Sequence, residues 1–160
     1  QVEQSSHSHA DLATIITKVV AQCNIRQPKV NFEQQGLCST FIDSESFQSV
    51  IHHLIQNAQE ATESDGWVKV SLIEKKRTIR ILIEDNGCGM SEEFVNARLF
   101  RPFDTTKGNA GMGIGVFEAK QFFESMAGII KVESVPKQGT VFTIDLPLRS
   151  TGSISSQDLP

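Results

Sequence analysis

The stretch Ile79-Arg80-Ile81-Leu82-Ile83-Glu84-Asp85-Asn86-Gly87-Cys88-Gly89-Met90 runs from an alternating apolar segment into a loop that carries two glycines. Ile79, Ile81 and Ile83 recur at every second position, which predicts a strand with one face in a core, and Glu84-Asp85 ends it before an Asn-Gly turn signal. Val68, Val70 and Leu72 alternate in the same way upstream, and Lys75-Lys76-Arg77 stands between the two runs. The pair is predicted to be antiparallel. Downstream, Gly87 to Gly115 holds more than half of the eleven glycines and no sustained apolar period, apart from a short helix predicted around Ser91 to Leu99. Loops of that length are uncommon in compact domains and tend to be lids or binding elements.

Helical periods flank this centre. Leu12, Ile15, Ile16, Val19, Val20 and Cys23 follow Asp11, a capping residue type, and Pro28 closes that region. Phe47, Val50, Ile51, Leu54, Ile55 and Ala58 predict a second helix from about Ser44 to Thr62. A third helix is predicted near Val116–Ala127, and two further strands near Ile129–Val135 and Thr140–Leu146. Periodicity alone therefore supports an α+β domain over residues 10–149, with polar, disordered tails expected at 1–9 and 150–160.

Composition narrows the function. The 160 residues carry 15 basic and 19 acidic side chains, for a net charge of −4, and neither sign forms a block. A polyanion-binding stripe is absent, so nucleic acid is not the expected partner. Apolar runs fall far short of the ~20 residues that cross a bilayer, and no signal-peptide pattern opens the chain, so a soluble domain is expected. Cys23, Cys38 and Cys88 are odd in number and lack CxxC spacing, which argues against a disulfide framework or a zinc site and favours a reducing cytoplasm. A chain opening on Gln1 is read as a fragment of a longer protein.

Four segments carry chemistry in a fixed order: His53-Leu54-Ile55-Gln56-Asn57-Ala58 on a helix, Asp85-Asn86-Gly87-Cys88-Gly89-Met90 at a strand end, Phe100-Arg101-Pro102-Phe103-Asp104-Thr105-Thr106-Lys107, and Gly111-Met112-Gly113-Ile114-Gly115. Asn57 offers a neutral carbonyl oxygen one turn beyond His53, a donor that Mg²⁺ accepts while phosphates and waters fill its octahedron. An Asn also stands often on a helix surface without any ligand. Asp85 projects a hydrogen-bond acceptor from the end of a buried strand, although Asp-Asn-Gly is also an ordinary turn. Gly87 and Gly89 permit positive φ and let a flat ring approach the backbone, with Met90 placed to pack on it. Gly111, Gly113 and Gly115 open a helix and present backbone amides to phosphate oxygens. Thr105, Thr106 and Lys107 add two hydroxyls and one point charge just before them. The spacing is neither GxGxxG nor GxxxxGK[ST], which disfavours both standard nucleotide folds.

Together these segments resemble the ATP-binding domain of sensor histidine kinases, in the superfamily that includes gyrase, the Hsp90 chaperones and MutL. The resemblance spans nearly the whole chain. It implies a Bergerat-type two-layer α/β sandwich, with a mixed sheet of about five strands covered on one face by about three helices. Asn57 falls where the family's N box places its magnesium ligand; Asp85, Gly87 and Gly89 match the first glycine box, whose Asp binds the adenine amine. Phe100 and Phe103 match the F box, and Gly111, Gly113 and Gly115 the second glycine box. Gly139-Thr140-Val141-Phe142 and Leu146-Pro147 resemble the closing strands, where the Thr assists adenine recognition through water. Residues Arg101 to Gly108 and Ala110 to Gly115 are particularly similar to the kinase associated with the exosortase (PEP-CTERM) system.

The resemblance implies ATP and Mg²⁺ as ligands, with residues from about Val95 to Gly111 closing as a lid. It also implies a phosphoacceptor histidine on an upstream dimerisation domain, a homodimeric parent whose cytoplasmic portion this is and with which a membrane anchor is compatible, and a response regulator that takes the phosphoryl group onward. Three departures qualify it. Gyrase-like ATPases carry a catalytic Glu one turn before the Asn; here His53 stands there, which favours phosphotransfer over autonomous hydrolysis and leaves His53 as a residue flanking the phosphates. Glu60 replaces a basic residue common three positions after the Asn, so Lys107 is expected to stand in. His7, His9, His52 and His53 lack the setting of an acceptor histidine. The competing readings are a gyrase- or Hsp90-like autonomous ATPase and a degenerate interaction module that binds no nucleotide.

Overall fold

The computed structural model describes residues 7–97, 99–101 and 112–149, and of residues 112–114 the backbone alone. In chain order the elements are β1 (His7–Asp11), α1 (Leu12–Cys23), β2 (Val30–Gln35), β3 (Ser39–Asp43), α2 (Ser44–Glu60), β4 (Val68–Glu74), β5 (Thr78–Asp85), α3 (Glu92–Ala97), α4 (Met112–Ser125), β6 (Ile129–Val135) and β7 (Gly139–Pro147). Five strands form a mixed sheet in the order β2-β4-β5-β7-β6, with β2 parallel to β4 and every other pair antiparallel. The architecture is the α+β sandwich expected, with α2 packed between α1 and α4.

The helices start where the chain supplies an acceptor for their free amides. The Asp11 carboxylate takes the Ala13 N–H at 3.1 Å and the Thr14 hydroxyl at 2.9 Å, and Asp43 caps α2 through the Ser46 N–H at 3.3 Å and its hydroxyl at 2.8 Å. Each helix buries one stripe: Leu12, Ile16, Val19 and Val20 from α1, and Phe47, Ile51, Leu54 and Ile55 from α2. Gln59, 2% exposed, donates at 2.9 Å to both the Cys23 and Pro28 carbonyls, which ties α2 to the end of α1.

Strand β5 lies at the middle of the sheet, and its pleat decides where the site falls. Ile79, Ile81, Ile83 and Asp85 are buried, whereas Thr78, Arg80, Leu82 and Glu84 are partly exposed. Asp85 therefore occupies the fourth inward position of a strand whose other inward residues are isoleucines. On the opposite face Arg80 forks onto Asp145 of β7 at 2.8 and 3.1 Å.

Three strands lie outside the periodic runs read from the sequence. In β2, Val30 is buried, but Glu33, Gln34 and Gln35 are exposed at the edge of the sheet, so no sustained alternation marks it. Strands β1 and β3 form a separate antiparallel ribbon. The tail expected over residues 1–9 gives way at His7, whose ring stacks on Phe41 with centroids 5.9 Å apart. A polar strand of five residues carries no hydrophobic signal of its own; β3 supplies the pairing. No helix among the described residues is long and apolar enough to cross a membrane.

Candidate functional site

Asn57 on α2, Asp85 at the end of β5, Gly89 and Met90 in the following loop, and Thr140 on β7 converge on one cavity of about 280 Å³. Its remaining wall is largely apolar: Ala58 from α2 and Ala61 at its C-cap, Phe94 from α3, Leu99, Val116 from α4, and Phe142 from β7. A few polar groups set among apolar walls are the usual make-up of a small-molecule site.

Asp85 is the acidic member. It is 6% exposed, and burial pushes its carboxyl above the usual carboxylate range. The Gly87 N–H, 2.8 Å from Oδ1, the Thr140 N–H and the Thr62 hydroxyl pull the other way, because each stabilises the anion. Thr140 is the direct cross-strand partner of Asp85. Its hydroxyl lies 2.7 Å from that of Ser134, which accepts the Met90 N–H at 2.8 Å. The carboxylate, Thr140 and the Met90 backbone are thus positioned by one polar network across β5, β7 and β6.

The two glycines of the loop serve different ends. Gly89 has φ +67°, and a Cβ there would meet the Val135 carbonyl oxygen. Gly87 keeps an ordinary φ; there a Cβ would run into the Ala61 carbonyl oxygen, so it is close packing against the end of α2 that excludes a side chain. The positive φ expected at both positions is found at Gly89. The Cys88 N–H donates to the Ala61 carbonyl at 2.8 Å and closes the same junction.

Asn57 is 9% exposed, and its Nδ2 has no hydrogen-bond partner. Gly115 stands opposite: a Cβ on it would lie 3.4 Å from the His53 Cβ and 3.6 Å from Asn57 Nδ2. The last glycine of the glycine run therefore meets the N-terminal side of the Asn57 turn. His53 lines a neighbouring polar cleft with Lys18, Glu45, Gln48, Ser49 and His52 rather than the main cavity. Burial lowers the His52 imidazole below its ordinary value, and the adjacent His53 adds to that. Glu60 does not line the cavity and pairs with Arg26 at 3.7 Å.

Met112, Gly113 and Ile114 form the first residues of α4, so the glycine run does open a helix. Phe103, Thr105, Thr106, Lys107 and Gly111 lie outside the described residues. Phe100 is half-buried with Lys120 Nζ 5.1 Å from its ring centroid. Sequence reasoning missed Thr62, Ser134, Phe94, Leu99 and Val116. The last two fall in runs whose apolar character was visible, but which cavity they face depends on how α3 and α4 dock.

Among the described residues no cluster of three or more His, Cys, Asp or Glu side chains could cage a metal. Asn57 brings one neutral amide oxygen to the cavity, a ligand type that a hard cation such as Mg²⁺ accepts beside phosphates and waters.

The chain is similar to known proteins both in sequence and in fold. Residues 42–150 match the family model described as histidine kinase-, DNA gyrase B-, and HSP90-like ATPase. Sporulation kinase A of Bacillus subtilis (strain 168) is 33% identical over 105 residues, 66% of this chain and 17% of that protein. The signal transduction histidine-protein kinase AtoS of Escherichia coli (strain K12) is 31% identical over 141 residues, 86% of this chain and 23% of that protein. The catalytic domain of histidine kinase ThkA superposes with a TM-score of 0.76 at 26% identity, covering 89% of this chain and 96% of that one. Full-length ShkA, solved with AMPPNP, shares the fold at a TM-score of 0.78 and 19% identity, over 96% of this chain and 33% of that one. The chain belongs to the histidine kinase-, DNA gyrase B- and HSP90-like ATPase family, as an ATPase domain of the kind two-component sensor kinases carry. It spans about a fifth of the length of the two curated kinases.

Proposed function

We propose that the cavity binds Mg-ATP and that the domain delivers the γ-phosphoryl group to a histidine on an upstream dimerisation domain, from which a response regulator takes it. The observation that carries this reading is the Asp85 carboxylate, buried at the end of β5 inside a cavity with apolar walls. Such an acceptor suits the exocyclic amine of adenine and repels the oxo group that guanine presents at the same ring position. Met90 and Phe94 offer faces for the base, and Thr140 sits beside the carboxylate to hold a bridging water.

The phosphates then extend toward Asn57, the start of α4 and its glycines, with Thr105, Thr106 and Lys107 contributing donors and charge from their segment. Mg²⁺ would neutralise phosphate charge and be held by Asn57. The chain's own residues position and orient; nothing in them acts as the nucleophile, and the in-line attack comes from the acceptor histidine. His53, packed at Gly115, flanks the phosphates. Because an imidazole rather than a carboxylate occupies that position, steady phosphate release by the domain alone should stay at the uncatalysed background. Turnover well above it would favour the autonomous-ATPase reading. The similarity of residues 101–108 and 110–115 further supports a place among exosortase-associated kinases, which the genes flanking the parent gene would test.

Calorimetric titration with ATP, ADP and GTP, each with and without Mg²⁺, tests the central claim. ATP is expected to bind and GTP to bind about tenfold or more weaker, as loss of a buried polar match predicts. Asn57→Ala is expected to remove the Mg²⁺ dependence of ATP affinity while leaving the metal-free titration nearly unchanged. No response to any adenosine nucleotide at millimolar concentration would favour the degenerate module instead.

A further inference from the structure

Cys88 has no part in the reading above, yet it lines the same cavity as Asp85 and Asn57, and it is exposed where Cys23 and Cys38 are buried. Its backbone is held on both sides: the N–H donates to the Ala61 carbonyl at 2.8 Å, and its carbonyl accepts the Lys137 N–H at 2.7 Å. The residue is therefore fixed at the rim, between the end of α2 and the β6–β7 turn. Across the same cavity Asn57, 9% exposed, carries an Nδ2 with no hydrogen-bond partner, a group that awaits a polar ligand.

We infer that Cys88 is a modification site for small-molecule disulfides, and that a thiol adduct there and a nucleotide in the cavity exclude one another. The second half rests on the nucleotide reading of this cavity. In the step itself, the Cys88 thiolate attacks one sulfur of the disulfide, whose S–S bond breaks as the Cys88 S–S bond forms. The other half departs as a thiolate and takes up the proton that Cys88 released. Cys88 is oxidised, half of the reagent is reduced, and excess thiol runs the exchange backward.

Selectivity follows from the fold. The thiolate is the nucleophile, and access limits exchange. Burial raises the Cys23 thiol against an opposing effect of Arg26, and burial raises Cys38 with help from the charges of Glu74 and Asp11. Neither can meet a reagent in the folded chain. A glutathionyl group on Cys88 brings bulk and carboxylates next to Asp85, so it opposes a triphosphate both by volume and by charge. Nucleotide affinity would then follow the thiol–disulfide balance of the surroundings.

The test incubates the 160-residue chain with glutathione disulfide, maps the adduct by peptide mass, and titrates ATP into the product. One adduct on Cys88 is expected, with ATP affinity weaker by about tenfold or more and restored by dithiothreitol. Saturating ATP should protect the thiol, and Cys88→Ser should take no adduct and show no change of affinity on exposure to the disulfide. No adduct on Cys88 in the folded protein, or an adduct that leaves ATP affinity unaltered, overturns the inference while the nucleotide reading stands. Failure of the unmodified chain to bind ATP overturns both.

Discussion

Asp85 carries opposed demands on stability and function. Desolvation raises its carboxyl in the folded state, whereas the unfolded chain titrates near the ordinary value of about 3.9. Between those two values the folded state binds more protons, so its stability falls as pH rises from about 4 through the folded-state value. Asp85→Asn removes that slope. The variant should melt above the parent at pH 7, with the gap closing as pH falls from the folded-state value toward about 4, and it should lose ATP affinity because a rotated amide no longer matches the adenine amine. Melting curves across that range decide the matter: a variant less stable than its parent at pH 7 would mean that the hydrogen bonds from Gly87, Thr140 and Thr62 outweigh desolvation. The identity of this residue was legible from the strand and turn around it. Its burial was not, because Asp-Asn-Gly reads equally as a surface turn until the neighbouring strand and helix remove the water.

At the scale of elements, the site depends on how the loop after β5 seats against the end of α2. Gly87 lies against the Ala61 carbonyl, and the Cys88 N–H bonds that same oxygen. Gly87→Ala should push the loop off the helix and cost about 1–3 kcal/mol, as overpacking does; chemical denaturation would show it as a lowered midpoint with unchanged slope, and ATP affinity should fall with it. A variant as stable as the parent would show that the junction yields freely. A second junction ties the β1–β3 ribbon to α4. The Arg149 N–H donates to the Thr40 hydroxyl at 2.9 Å, its carbonyl accepts from Phe41 at 3.0 Å, and its guanidinium donates to the Met126 carbonyl at 2.8 Å. Arg149→Ala keeps the backbone bonds and loses the last, for an expected cost of about 1.5–3 kcal/mol, readable by the same denaturation. Helices α1, α2 and α4 were legible because each repeats apolar residues over three or more turns. The junctions were not, since a glycine packed against a carbonyl leaves no periodic trace.

For the whole molecule, the sheet is organised about β5, which pairs with β4 on one side and β7 on the other. Ile81 is fully buried at its centre, and Ile81→Ala should cost about 2–5 kcal/mol through lost transfer energy and a residual cavity. Loss of the fold in one cooperative thermal transition is expected; separate melting of sheet and helices would contradict a single core. By itself the amino-acid sequence determined the strand pair around Lys75-Lys76-Arg77, the three long helices and the order of the four motif segments, because these are written in local periods and short motifs. Only the tertiary structure decided that β2 runs parallel to β4 at an edge, that the polar segment from His7 becomes a strand, and that Asn57, Asp85 and Thr140 share one cavity. Those outcomes turn on pairings between residues distant along the chain and on the exclusion of water that follows, and neither is present in any local stretch.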